Sequence, residues 1–203
     1  MASAPNPDPA LHRDFALHPD RVLRVAVAPG VTPTKWARLW RERLPGRRLE
    51  LVDVAEADQR RVLDAGEADL CLARLPLDTA GLHVIRLYDE VRVAWVSKDH
   101  PIAVYDQVSR ADLEGERVLL VPDAAALTLA SQAEAVLLVP MSIARSHSRR
   151  DMASVPVADA DPTTIALVWL QEDPHPLTDE FIGIVRGRSA ASSRTTQERG
   201  RRR

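Results

Sequence analysis

Between Val22 and Ala73 the chain runs through a short apolar stretch, an amphipathic stretch, and the same alternation again, which confines it to a small set of folds. Arg24 to Ala28 ends at Pro29 and Gly30, as a short buried strand does. Pro33 to Leu44 spaces Trp36, Leu39, Trp40 and Leu44 along one helical face and sends Lys35, Arg38, Arg41, Glu42 and Arg43 mostly elsewhere. Pro45 and Gly46 stop that helix. Arg48 to Val54 reads as a second strand, Glu56 to Ala65 as a polar helix closing on Gly66, and Asp69 to Ala73 as a strand covered on both faces. Two strand–helix–strand units in succession imply parallel pairing with right-handed crossovers, and so an open α/β sheet. Such sheets hold ligands beyond the carboxyl ends of their strands, where helix N-termini offer unpaired N–H groups. The loop Ala28 to Thr32 carries neither charge nor bulk, and Thr32 before Pro33 places a hydroxyl at the helix N-cap.

Downstream, Leu82–Leu87 and Val91–Ser97 are β-rich, and Ser109 with Asp112 makes a near capping box for one or two helical turns. Arg117–Val121 reads as a strand, Ala125–Glu134 as a helix, and Ala135–Val139 as another strand. Pro140 to Ser142 turns into a short basic helix, Val155–Val157 and Thr163–Leu170 are strands, and Leu177–Arg186 is a closing helix with Phe181, Ile184 and Val185 inward.

The composition narrows the chemistry. With 45% hydrophobic residues among 203, the chain can build a sizeable core. A single cysteine, Cys71, rules out an intrachain disulfide and a CxxC pair. Its place in an apolar strand suits an inert thiol better than a nucleophile. The histidines at 12, 18, 83, 100, 147 and 175 match no metal spacing, and neither GxSxG nor a P-loop occurs, so no catalytic residue, metal or cofactor is assigned. No segment has the apolar length of a membrane span or a signal peptide, which points to a cytoplasmic protein. Residues 1–20, rich in Pro, Ala and Asp, read as a flexible leader. Arg186 to Arg203 carries seven arginines and one glutamate, a net +6, so the total of −2 leaves Met1 to Val185 at −8. The acidic body argues against sequence-specific DNA binding by this chain, and residues 189–203 read as a disordered basic tail.

The order and spacing of these segments resemble the effector-binding (substrate-binding) domain of LysR-type transcriptional regulators, across about Arg21 to Arg188. VLRVAVAPGVTPTKWARLWRERLP, LELV, GEADLCLARLP, LHVIRLYDEVRVAWVSKDHP, VLLVPMS and GIVRG carry the likeness. The resemblance implies a type 2 periplasmic-binding-protein fold, two α/β lobes with a central cleft that holds a small organic effector. Lobe one would take residues 21–95 and 150–188, and lobe two residues 96–149. The sequence departs from the family in three places. It shows neither the N-terminal winged helix-turn-helix nor the linker helix, which implies a free-standing effector domain. The second lobe is shortened, with room for one helix between Val121 and Val136 where strand, loop and helix are usual. The turn that often carries glycines in the family reads Ser131 to Ala135 here.

By resemblance, the ligand-binding residues are Gly30, Val31, Thr32, Thr34, Arg74, Pro122, Met141 and Ser142. Thr32 also serves as an N-cap in this reading. Arg74 suits either a carboxylate ligand or a salt bridge at the cleft edge, and Ser142 either a ligand or a helix cap. A dimer interface is implied at Trp40, Arg43, Leu49 and Leu51. Trp36 and Trp40 read equally as core. The expected function is that of an effector-binding regulatory domain acting in transcription through dimerisation, with itself or with a full-length regulator, on a small organic effector such as a carboxylate. The alternatives are a ligand-free remnant or interaction module and, behind it, an enzyme on the same fold.

Overall fold

The structure is a computed structural model that describes residues 21–188 apart from Ser148 and Asp173. The leader (1–20) and basic tail (189–203) inferred from the sequence lie outside the described residues.

Leu23–Val27 (β1), Thr34–Arg43 (α1), Leu49–Asp53 (β2), Gln59–Asp64 (α2) and Leu70–Leu75 (β3) follow one another as the alternation requires. β1 pairs parallel with both β2 and β3. Leu82–Glu90 (β4) returns on the far side, and a late strand, Thr163–Leu170 (β9), inserts antiparallel between β3 and β4. The first sheet therefore runs β2-β1-β3-β9-β4. α1 and the closing helix Thr178–Val185 (α5) cover one face, where Trp40 and Phe181 meet with ring centroids 5.9 Å apart. α2 covers the other through Val62 and Leu63.

The second sheet runs β6-β7-β5-β8. Its strands are Arg92–Ser97 (β5), Val118–Leu119 (β6), Val136–Pro140 (β7) and Met152–Pro156 (β8). Ala124–Ser131 (α3) and Met141–Ser146 (α4) pack on one face around Trp95, and short 3-10 turns at Pro101–Val104 and Ala111–Leu113 pack on the other. The expected capping box is formed: Asp112 accepts from Ser109 N and Oγ, both at 2.7 Å.

Several expectations are corrected in detail. Because β5 and β8 hydrogen-bond within the second sheet, the chain changes sheets between Glu90 and Arg92 and again between Pro156 and Thr163, not at 95/96 and 149/150. The strand expected over Arg117–Val121 shrinks to Val118–Leu119, since only β7 pairs with it. α1 starts at Thr34 with Pro33 at the N-cap and no side-chain cap bond, so Thr32 does not cap it. Trp40 is fully buried and donates through its indole N–H to the Arg47 carbonyl at 2.8 Å, which makes it core and removes it from any interface.

Candidate functional site

The loop after β1 turns tightly: Val31 N–H donates to the Ala28 carbonyl at 3.2 Å, and Gly30 has φ +80°. Only glycine adopts that conformation without strain. Space demands it as well, since a Cβ on Gly30 would lie 2.8 Å from Ser142 Oγ and 2.9 Å from the Ile143 backbone nitrogen. The first lobe's loop thus touches the first turn of α4, in the second lobe.

Arg74, on β3, holds this junction. It is 1% exposed, and its guanidinium donates to Glu90 at 2.9 Å, to Glu56 at 3.0 Å, to the Pro29 carbonyl at 2.9 Å and to Ser142 Oγ at 3.2 Å. Gln59 fixes the strand beneath it, accepting from Arg74 N–H at 2.6 Å and donating to its carbonyl at 3.3 Å. Glu90 is buried where the chain leaves β4, and Thr163, where the chain returns, donates to it at 3.4 Å. A buried guanidinium with two carboxylates and two neutral acceptors is electrostatically satisfied, so a carboxylate ligand reaches it only by displacing Ser142 or Pro29. Of the two readings of Arg74, the geometry is that of the salt bridge.

Beside this junction a cavity of about 420 Å³ opens at the carboxyl ends of β1 and β2, lined by Val27 to Val31 and by Asp53, Val54 and Ala55. Its volume falls within the range of small-molecule sites. Gly30 and Val31 line it as expected. Thr32 and Thr34 are exposed and outside its lining, and Pro122, half-buried before α3, is also outside it. Met141 packs against the second lobe's core, its N–H bonded to the Val91 carbonyl at 2.9 Å. Ser142 lies inside α4 with its hydroxyl on Arg74; Pro140 holds the cap position, so Ser142 is not the cap. Sequence reasoning missed Asp53, Glu56, Gln59 and Glu90. Their spacing carries no signal, because the fold alone brings them to one place.

Cys71 is buried in β3, where burial pushes its thiol up to about 12 and keeps it un-ionised and inert at neutral pH. No group of metal-ligating side chains occurs among the described residues.

The family model described as "LysR substrate binding domain" matches residues 17–128, more than half of the chain. The chain belongs to the LysR substrate-binding domain family. A curated relative, the Hca operon transcriptional activator HcaR of Escherichia coli (strain K12), is 29% identical over 99 residues, 47% of this chain. The match spans a third (33%) of that activator's length. Among solved structures, the effector-binding domain of BenM with its effector benzoate superposes with a TM-score of 0.69 at 20% identity, covering 85% of this chain and 93% of that one. The oxidised form of OxyR gives 0.67 at 18% identity, with 82% and 93% covered. These likenesses establish the type 2 periplasmic-binding-protein-like architecture of LysR effector domains. The proteins that share it here are regulators and their effector-binding domains, not enzymes. No helix among the described residues is long and apolar enough to cross a membrane.

Proposed function

We propose that this chain is an effector-binding regulatory domain acting in transcription in the cytoplasm, and that its effector occupies the cavity between Pro29–Val31 and Asp53–Ala55. The observation that carries this reading is the position of that cavity: its wall is the same Gly30 loop that touches α4 of the second lobe. A ligand there shifts the balance between lobe arrangements by whatever difference in affinity it has for them. Asp53 is the charged residue of the lining, and Arg74 is occupied, so the chemistry favours a neutral or cationic effector with hydrogen-bond donors over a carboxylate. The regulatory output passes through a dimer, with a second copy or a full-length regulator, built on the outer side of β2, where Leu51 is 38% exposed. Leu49 packs inward, and Arg43 donates to the Arg188 carbonyl at 2.6 Å, so of the residues expected at this interface Leu51 is the main apolar contact.

Thermal-shift screening of matched aromatic amines and carboxylates, benzylamine against benzoate among them, tests the site. A true ligand raises the melting temperature by mass action, and Asp53→Asn abolishes the amine response. A response confined to carboxylates and indifferent to Asp53 overturns the effector class. A flat screen across a broad library favours the second reading, a ligand-free interaction module, which the occupied Arg74 and the short second lobe support.

A further inference from the structure

Two stretches far apart in the sequence meet at the end of lobe one where β1 and β2 begin, opposite the cavity at their carboxyl ends. The Trp40 indole holds the Arg47 carbonyl, and Leu23 N–H donates to the Arg48 carbonyl at 3.1 Å, so the turn between α1 and β2 is tied to the start of β1. α5 ends in the same place. Gly187, at φ +71°, turns the chain so that Arg188 N–H reaches the Gly183 carbonyl at 2.9 Å, and the Arg43 guanidinium donates to the Arg188 carbonyl at 2.6 Å. These contacts gather Arg41, Arg43, Arg47, Arg48, Arg186 and Arg188, of which all but Arg43 are exposed.

The carboxylates nearby do not balance them. Glu42 stands 3.8 Å from Arg38 on α1. Asp69 is taken by Arg21 at 2.9 Å and by Arg24 N–H at 2.8 Å. Asp179 and Glu180 lie in the first turn of α5, at the other end of that helix from Arg186, and Glu50 on β2 is exposed and forms no ion pair. Among the described residues no carboxylate pairs with Arg41, Arg43, Arg48, Arg186 or Arg188. The last turn of α1 attracts cations to its free carbonyls, which accounts for Arg41 and Arg43 but not for the rest. Like charges gathered this closely repel one another unless a polyanion lies against them. The sequence carries the pattern further, since residues 189–203 hold five arginines and one glutamate. Fully extended, those fifteen residues reach about 50 Å from Arg188.

We propose that this end of lobe one is a sequence-independent contact for duplex DNA, in which the arginines of the α1–β2 turn and of the α5 terminus bind backbone phosphates and residues 189–203 prolong the contact along the duplex. Every cation involved is arginine, whose planar fork grips a phosphate through two hydrogen bonds. A duplex presents a negative charge about every 1.7 Å along its axis, for as far as the arginines can follow it, which the limited acidic patch of a folded protein does not. A lipid surface fits less well, because none of the large exposed hydrophobics among the described residues lies on the α1–β2 turn or after α5 to enter it. Phosphates position a protein without reporting sequence, so the contact agrees with the absence of a recognition helix. It goes beyond the effector reading and does not depend on it.

Fluorescence anisotropy of a labelled duplex, titrated with the full chain in the absence of any effector, tests it. The duplex and its shuffled sequence bind equally at low salt, and the logarithm of affinity falls with the logarithm of salt by about 0.9 for each phosphate engaged. The triple variant Arg41→Gln/Arg48→Gln/Arg186→Gln makes that slope shallower by about 2.7, three contacts at 0.9 each, at an unchanged melting temperature. A chain ending at Arg188 still binds, with a shallower slope of its own. A triple variant that binds like the wild type, beside a shortened chain that does not bind, confines the contact to residues 189–203 and overturns the surface. Polyglutamate that displaces the duplex at matched charge, or phosphatidylserine vesicles that bind as tightly, overturns the choice of nucleic acid. A preference for one sequence over its shuffled form overturns the phosphate-only mode, and no binding at low salt overturns the whole. None of these outcomes bears on the thermal-shift response to an effector, so the two readings fail separately.

Discussion

The two lobes use one construction plan to different degrees of completion. Lobe one buries its first strand, β1, between neighbours on both sides and helices on both faces. Lobe two keeps the faces but leaves its first parallel strand, β6, with β7 as a neighbour on one side and none on the other. Apolar content does not separate them, since β6 and its extension read Val-Leu-Leu-Val, as apolar as β1. What differs is the number of neighbours. Burial is a property of the assembled sheet, and the same residues are core in one lobe and surface in the other.

The largest effect expected is at the joint between the lobes. Arg74→Met leaves Glu90 buried without its cation and should cost about 3–5 kcal/mol in urea denaturation. The double variant Arg74→Met/Glu90→Leu should recover most of it, because two apolar groups of similar size replace the pair. If the single variant is nearly neutral, the joint is not what holds the lobes in register. Next comes the direct contrast between strands. Leu23→Ala should cost about 2–5 kcal/mol, and Leu120→Ala less than about 0.5 kcal/mol in the same assay. Equal losses would mean that β6 is covered in solution. Smaller is Gly30→Ala, which combines a strained φ with the approach to Ser142 and should cost about 1–3 kcal/mol while expanding the molecule in small-angle scattering. Smallest is an acid-side effect confined to lobe one. Burial holds His175 below its ordinary value near 6.5, opposed by Asp69. The unfolded chain therefore binds the proton first, and stability falls as pH drops below about 6.5 toward the lower folded value. His175→Gln should flatten that slope in pH-dependent melts.

Much of this was legible in the sequence, for identifiable reasons. β1, β3 and β9 are apolar runs bounded by breakers, and each falls within about two residues of its expected place. Ser109 and Asp112 announce their cap through a local spacing. Two of the misreadings share a cause, in that each depends on a distant neighbour. Trp40 reads as core or dimer contact alike until Phe181 arrives from the other end of the chain. Ser142 looks like a cap until Arg74 takes its hydroxyl. Thr32 sits one residue too early, because Pro33 holds the N-cap of a helix that starts at Thr34. Of the expected ligand residues, Gly30 and Val31 line the cavity because the loop itself dictates them; Asp53 enters from β2, which no motif links to that loop.

The position of β9 bears on how the protein is made. β4 has one sheet neighbour, and that neighbour spans Thr163–Leu170. As the chain leaves the ribosome, β4 therefore waits unpaired while the whole of the second lobe is synthesised. At about 5–20 residues per second, the roughly seventy residues between β4 and β9 take several seconds. The shortened lobe can complete its own sheet in that interval, and the larger one closes only at the end, on the last strand to emerge.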